Sequence, residues 1–225
     1  MIETKNLKRE YQDGDTLTEI LKGIDFKIKD SEFIAIMGRT GAGKSTFLYQ
    51  ISLLDEPTSG EILIDGINVL DMSIKEKISY RLSNFGYVFQ DYALLPDLTA
   101  LENVALPLLM QGMVKIKAYN TARDTLSTLM LEKHINSLPS NMSGGEQQRV
   151  SIARAVVHRP KVLFADEPTA NLDNESSLVI MDIFNKLHKE GQTIIMITHE
   201  EQYAKFAERM IKIDDGNIIS DTKNI

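Results

Sequence analysis

Gly38-Arg39-Thr40-Gly41-Ala42-Gly43-Lys44-Ser45 fits the pattern G-x-x-x-x-G-K-[ST] at every defined position. The run Glu32-Phe33-Ile34-Ala35-Ile36-Met37 leads into it with the form of a buried parallel strand, and Phe47-Leu48-Tyr49-Gln50-Ile51 continues beyond it as a helix. Strand, glycine-rich loop and helix in that order build a phosphate cradle. The glycines let backbone N–H groups turn inward, and the helix adds its positive N-terminal end. Residues Gly38 to Thr46 are thus expected to bind a nucleoside triphosphate. Lys44 would neutralise β- and γ-phosphate oxygens, and Ser45 would offer its hydroxyl to Mg²⁺. A glycine-rich turn that binds nothing is the bland alternative, and the strand-to-helix context argues against it.

Outward from the loop, Val162-Leu163-Phe164-Ala165 reads as a second buried strand ending in the carboxylates Asp166 and Glu167. Ligand sites in open α/β sheets lie at such strand ends. Asp166 is expected to hold Mg²⁺ through water, and Glu167 to orient and deprotonate an attacking water. Thr193-Ile194-Ile195-Met196-Ile197-Thr198 is a further buried strand that delivers His199, where a γ-phosphate contact is available. Phe85-Gly86-Tyr87-Val88-Phe89 is another, and Gln90 follows it directly.

Between these pieces stands Ser143-Gly144-Gly145-Glu146. It fits the capping box S-x-x-E, an ordinary helix start worth about 1 kcal/mol. Two successive glycines exceed what a cap needs, and they could clear the helix N-terminus for a phosphate. Both readings stand, in different states. Thr99-Ala100-Leu101-Glu102 has the pattern without glycines and is read as a cap alone.

Taken together, these residues resemble the ATP-binding-cassette (ABC) ATPases from end to end of the chain. Met142-Ser143-Gly144-Gly145-Glu146 resembles the family signature, with Met142 where leucine is usual, and Arg39-Thr40 stands where Pro-Ser is commoner. Gln90 resembles the Q-loop glutamine, Ala170-Asn171-Leu172-Asp173 the D-loop and His199 the switch histidine. Tyr11 matches the aromatic residue that stacks on adenine, although a half-buried strand aromatic is the other reading. The resemblance implies catalytic roles for Glu167, His199 and Gln90, and nucleotide contacts from Tyr11, the 38–46 loop, Ser143, Gly144, Gly145 and Asp173. It implies metal contacts from Ser45, Gln90 and Asp166, with ATP and Mg²⁺ as cofactors. The signature of one copy would cover the ATP held by a second copy.

Asp91 to Val104 and Asp166 to Asp173 are similar to the subgroup serving lipoprotein release and macrolide or peptide export. In that subgroup ATP closure drives a membrane permease. A regulatory scaffold of a cell-division or antimicrobial-peptide-sensing complex is the alternative. Chromosome and DNA-repair ATPases need a long coiled coil before the signature, whereas Ser143 follows Lys44 by 99 residues. Translation-type relatives carry two cassettes, and one is found here.

Composition agrees. The chain has 225 residues, no cysteine and a formal charge of −7, which argues against a broad nucleic-acid surface. Met1-Ile2-Glu3-Thr4-Lys5 lacks the form of a signal peptide, and no apolar run approaches the ~20 residues that cross a bilayer. The expected place is the cytoplasm, on the inner face of the membrane through a separate permease subunit.

The expected fold is an α/β P-loop NTPase of the ABC type. A mixed, mainly parallel sheet core would carry an antiparallel β patch (Ile24, Phe26, Ile28; Glu61 to Asp65) and an inserted helical lobe. The core lobe spans about 1–90 and 159–225, and the helical lobe about 91–158, with Leu126, Leu129 and Met130 at helix spacing. Asp214-Asp215-Gly216-Asn217 reads as a hairpin turn. Tyr92, Leu94, Leu95, Pro96 and Leu98 form an apolar stretch; part of it is expected to line a docking groove for an amphipathic helix of the permease, with Tyr92 and Leu95 as its contacts, and core of the helical lobe is the other reading of each side chain.

Overall fold

The computed structural model describes residues 1–14 and 16–224. In chain order the elements are β1 (Ile2–Asp13), β2 (Thr16–Ile28), β3 (Phe33–Met37), α1 (Lys44–Ile51), β4 (Ser59–Ile64), β5 (Ile67–Asn68), α2 (Ile74–Asn84) and β6 (Phe85–Val88). Then follow α3 (Ala100–Met110), α4 (Lys115–Thr128), α5 (Gly144–Val156), β7 (Val162–Asp166), α6 (Asn174–Lys189), β8 (Thr193–Ile197), α7 (Glu201–Ala204), β9 (Arg209–Asp214) and β10 (Asn217–Lys223).

Two sheets result. One is antiparallel, in the order β2-β1-β4-β5; the other runs β10-β9-β3-β8-β7-β6. In the second sheet β9, β3, β8, β7 and β6 are mutually parallel, and β10 returns antiparallel to β9 through the turn at Asp215 and Gly216. Every residue of β3, β7 and β8 is buried, which is why each reads as an unbroken apolar run. Alternate side chains feed different cores. Ile34, Ile36, Phe164, Ile195 and Ile197 pack with α1 and the antiparallel sheet. Phe33, Ala35, Leu163, Ala165, Ile194 and Met196 pack with α3, α4, α5 and α6.

Capping boxes start α2 (Ser73, Glu76), α3 (Thr99, Glu102) and α5 (Ser143, Glu146), with each serine or threonine accepting from the glutamate N–H. The helical stretch is shorter than its composition suggests. After α4 ends at Thr128, Leu129 is its cap and Met130 adopts φ 59°, leaving its side chain 62 % exposed. Leu126 alone of the expected trio is a helical core residue. Up to Ser143 the chain makes only single 3₁₀ turns, at Glu132–His134 and Pro139–Asn141.

Among the described residues, no helix is long and apolar enough to cross a membrane.

Candidate functional site

The 38–46 loop joins β3 to α1, as its sequence requires. A Cβ at Gly38 would collide with the Ile213 carbonyl, and φ there is 154°. Gly43 caps α1 at φ 97°, against the Ile20 carbonyl of β2, so glycine is needed at both ends of the loop. Lys44 is buried; its Nζ donates to the Gly38 and Arg39 carbonyls at 3.0 and 2.9 Å. It thus lies along the loop it would help to charge. Arg39, Thr40 and Gly41 are exposed, while Ala42 is buried and Thr46 half-buried.

Asp166 is the last residue of β7 and is only 7 % exposed. Ser45 Oγ lies 3.3 Å from its Oδ1. Burial raises the Asp166 pKa above the ordinary carboxylate value, against the opposing pull of hydrogen bonds from Tyr49 and Ser45. The Tyr49 phenol is in turn pushed up to about 12, by burial first and then by the Asp166 charge. Tyr49, Gln90, Asp91, Asp166 and Asn171 line one cleft of about 350 Å³. Gln90 thus shares a cleft with Asp166, two residues beyond the end of β6. Asn171 fixes its backbone by donating to the Gln90 carbonyl at 3.0 Å.

Glu167 has left the strand. Its φ is 46°, and its N–H donates to the Ile197 carbonyl at 3.1 Å. This left-handed step aims the carboxylate at His199, with Oε2 3.2 Å from Nδ1. His199 is two residues past β8 and more than half exposed.

Tyr11 stands on β1 opposite Thr18, on the hairpin whose Ile20 borders Gly43. Its ring is 44 % exposed; the Arg9 guanidinium lies 4.4 Å from the ring centroid, and the hydroxyl is 3.2 Å from Asp55 Oδ2. An exposed face suits a stacking platform better than a core aromatic.

Ser143 caps α5, and His134 Nε2 braces the capping Glu146 at 3.0 Å. The glycines do not simply bare the helix end. A Cβ on Gly144 would meet the Tyr92 hydroxyl at 2.8 Å, and one on Gly145 would meet Ser176 Oγ at 2.9 Å. They admit close neighbours within the same chain. Asp173 caps α6, accepting from the Ser176 N–H and hydroxyl at 2.8 and 2.9 Å, which holds its pKa below the usual value. The starts of α5 and α6 therefore meet through Ser176. Among the described residues, no hydrogen bond or ion pair links Ser143, Gly144, Gly145 or Asp173 to the 38–46 loop.

The residues present fit a nucleotide with Mg²⁺. A glycine-rich loop that opens a helix and a buried ammonium suit phosphates, and the hydroxyl, carboxylate and amide oxygens of Ser45, Asp166 and Gln90 suit a hard cation. Among the described residues no cluster of three or more histidine, cysteine or acidic ligands gathers. Tyr49 and Asn171 join the site through contacts between distant segments, and no local pattern marks Tyr49.

The apolar stretch after Gln90 divides. Leu94 packs into the core of the helices, Tyr92 packs against Gly144, and Leu95 is 44 % exposed. The groove at this place, about 250 Å³, is lined by Phe89, Ala93, Pro107, Arg154 and His158 among others, and not by Tyr92 or Leu95 as expected.

A phosphate loop after a parallel strand, carboxylates at the end of another parallel strand one position removed in the same sheet and a glycine-flanked capped helix define a P-loop nucleotide-binding protein. Residues 21–170 match the family model described as ABC transporter. The macrolide export ATP-binding/permease protein MacB of Campylobacter fetus is 45 % identical over 99 % of this chain and 35 % of its own length. The ABC transporter ATP-binding protein MJ1508 of Methanocaldococcus jannaschii is 44 % identical over 97 % of this chain and 98 % of its own. The dimeric ATP-binding cassette MJ0796, solved in a post-hydrolysis state with ADP and Pi, superposes with a TM-score of 0.93 at 39 % identity, covering 100 % of this chain and 99 % of that one. The chain belongs to the ABC transporter family. It spans about a third of the length of the MacB relatives it matches.

Proposed function

We propose that the chain hydrolyses ATP as one of a pair of identical subunits and drives a separate membrane permease, for export or mechanical transmission of a lipoprotein, peptide or drug-like cargo. It would work in the cytoplasm, on the inner face of the membrane, without nucleic acid. The names of the MacB relatives, which couple an ATP-binding part to a permease, support the partner, and the dimeric MJ0796 structure supports the pairing.

One observation carries the reading. Lys44, Ser45, Asp166, Glu167 and His199 converge where β3, β7 and β8 end, while the Ser143 cap has its contacts elsewhere in its own chain. A second copy can then supply the cap that the first copy's triphosphate lacks.

In this reading the 38–46 N–H groups and Lys44 hold the β- and γ-phosphates, and Tyr11 stacks on adenine. Ser45, Asp166 and Gln90 would hold Mg²⁺, which when bound neutralises charge developing on the phosphates. Glu167, aimed by its contact with His199, accepts a proton from the attacking water as the β–γ bridge breaks to ADP and phosphate. His199 would contact the γ-phosphate. Ser143, Gly144 and Gly145 of the second copy close over it, with Asp173 at the seam. The division into a core lobe (1–90 and 159–225) and a helical lobe (91–158) follows, with Gln90 at the junction. The permease helix lies in the groove beside Phe89 and Ala93.

Phosphate release from ATP by the purified chain tests the enzyme reading. Turnover should require Mg²⁺ and be lost in Lys44→Ala; turnover that survives Lys44→Ala at the wild-type rate would sink it. Co-purification with the permease and stimulation of turnover test the coupling.

A further inference from the structure

The turn after Gln90 is held in a conformation its residues disfavour. Tyr92 and Ala93 have φ of 64° and 47°, left-handed values that cost any residue carrying a Cβ. Neither is the glycine, asparagine or aspartate that such positions favour. The stabilising contact comes from α5. Arg154 Nη2 donates to the Tyr92 carbonyl at 3.0 Å, and Nη1 donates to the Ala93 carbonyl at 2.6 Å. Among the described residues Arg154 has no carboxylate partner, so these carbonyls meet the charge of a half-buried guanidinium. Hydrogen bonds of this charge-assisted kind are roughly twice as strong as neutral ones. The turn meets α5 again at the helix start, where Tyr92 packs against Gly144.

We propose that Arg154 is a positioning residue that locks the turn after Gln90 onto α5, so that Gln90 and the Ser143 cap move as one body. α5 has 13 residues, so it carries such a movement over about 20 Å. Arg154 and Ala93 also line the apolar groove, which places the lock where a docked helix would press. The coupling role rests on the reading of Gln90 and Ser143 as nucleotide contacts; the lock itself is a property of the single chain.

Amide hydrogen exchange over residues 91–98 of the isolated chain reads the lock. Arg154→Met keeps a long apolar stem and removes both donors. It should speed exchange in this turn by at least about tenfold, with β7 and β8 protected as before. Affinity for Mg·ATP should stay within about threefold, while ATP-driven dimerisation in a Glu167→Gln background weakens by at least about tenfold. Ala93→Gly removes the left-handed cost at one position, so adding it to Arg154→Met should restore part of both losses, a non-additivity that generic loss of packing does not produce. Wild-type exchange in Arg154→Met, or faster exchange with unchanged dimerisation, overturns the proposal. Should Arg154→Met fail to fold, Ala93→Gly alone decides: exchange of the turn slowed by about threefold upholds the lock, and unchanged or faster exchange overturns it. Failure of the wild-type chain to bind ATP would instead sink the functional reading and leave the exchange result standing.

Discussion

Glu167 Oε2 lies 3.2 Å from His199 Nδ1, joining the residue after β7 to a residue just past β8. The contact depends on the left-handed turn at Glu167, whose N–H is anchored to the Ile197 carbonyl. A carboxylate held this way is oriented before any substrate arrives, as a general base requires.

Glu167→Gln is therefore expected to lower turnover by about 10²–10⁴ while leaving ATP affinity within a few-fold. His199→Ala should also lower turnover, because it frees the Glu167 carboxylate to rotate. Phosphate release alongside binding of a fluorescent nucleotide separates the effects. Affinity lost in parallel with turnover in Glu167→Gln would place the carboxylate in ground-state binding.

Asp166 titrates in the opposite sense to a salt-bridged acid. Burial lifts its folded pKa above the ordinary value, so between the two values the folded state holds more protons than the unfolded state and stability falls as pH rises. Asp166→Asn removes this cost. Without nucleotide it should melt higher than wild type above the raised pKa. That advantage should vanish as pH falls below the ordinary carboxylate range. A variant that melts lower than wild type at neutral pH contradicts the assignment, and so does a gap that widens in acid.

Tyr11 offers a test of stacking against hydrogen bonding. Tyr11→Phe loses the Asp55 contact and keeps the ring, so ATP affinity should hold within about twofold. Tyr11→Ala should weaken ATP, GTP and free adenosine by a common factor of about tenfold, the scale of about 1.4 kcal/mol. Titration calorimetry reads all three. Equal losses in Phe and Ala would assign the role to the hydroxyl.

The parallel core was legible because β3, β7 and β8 are buried on both faces and lead within two residues to glycine, acid or histidine. α2 escaped for the converse reason. Its Ile74 and Ile78 are 75 % and 48 % exposed, and its buried residue is Lys77, paired with Glu56 at 2.6 Å, so apolar periodicity points the wrong way. The capping box Ser73–Glu76 was the available signal. β1 escaped because its register shifts between Thr4 and Leu7 and again at Leu7/Lys8 and Arg9/Glu10, which breaks the alternation that marks a strand. The phosphate loop and the Asp166–Glu167 pair are local in sequence and were readable. Arg154 and Tyr49 act through contacts with segments more than fifty residues away, and nothing local marks them.

The central claim is that each site is completed by the Ser143 cap of a second copy. Ser143→Arg and Lys44→Ala chains, both in a Glu167→Gln background, test it most directly when mixed and chromatographed with labelled ATP. The mixed pair keeps one site with an intact loop on one chain and an intact cap on the other. The mixture should yield a dimer holding one trapped ATP and either pure variant none, with Ser143→Arg monomers still binding ATP. A mixture that traps no more ATP than the pure variants, or a Ser143→Arg monomer that cannot bind ATP, would contradict it.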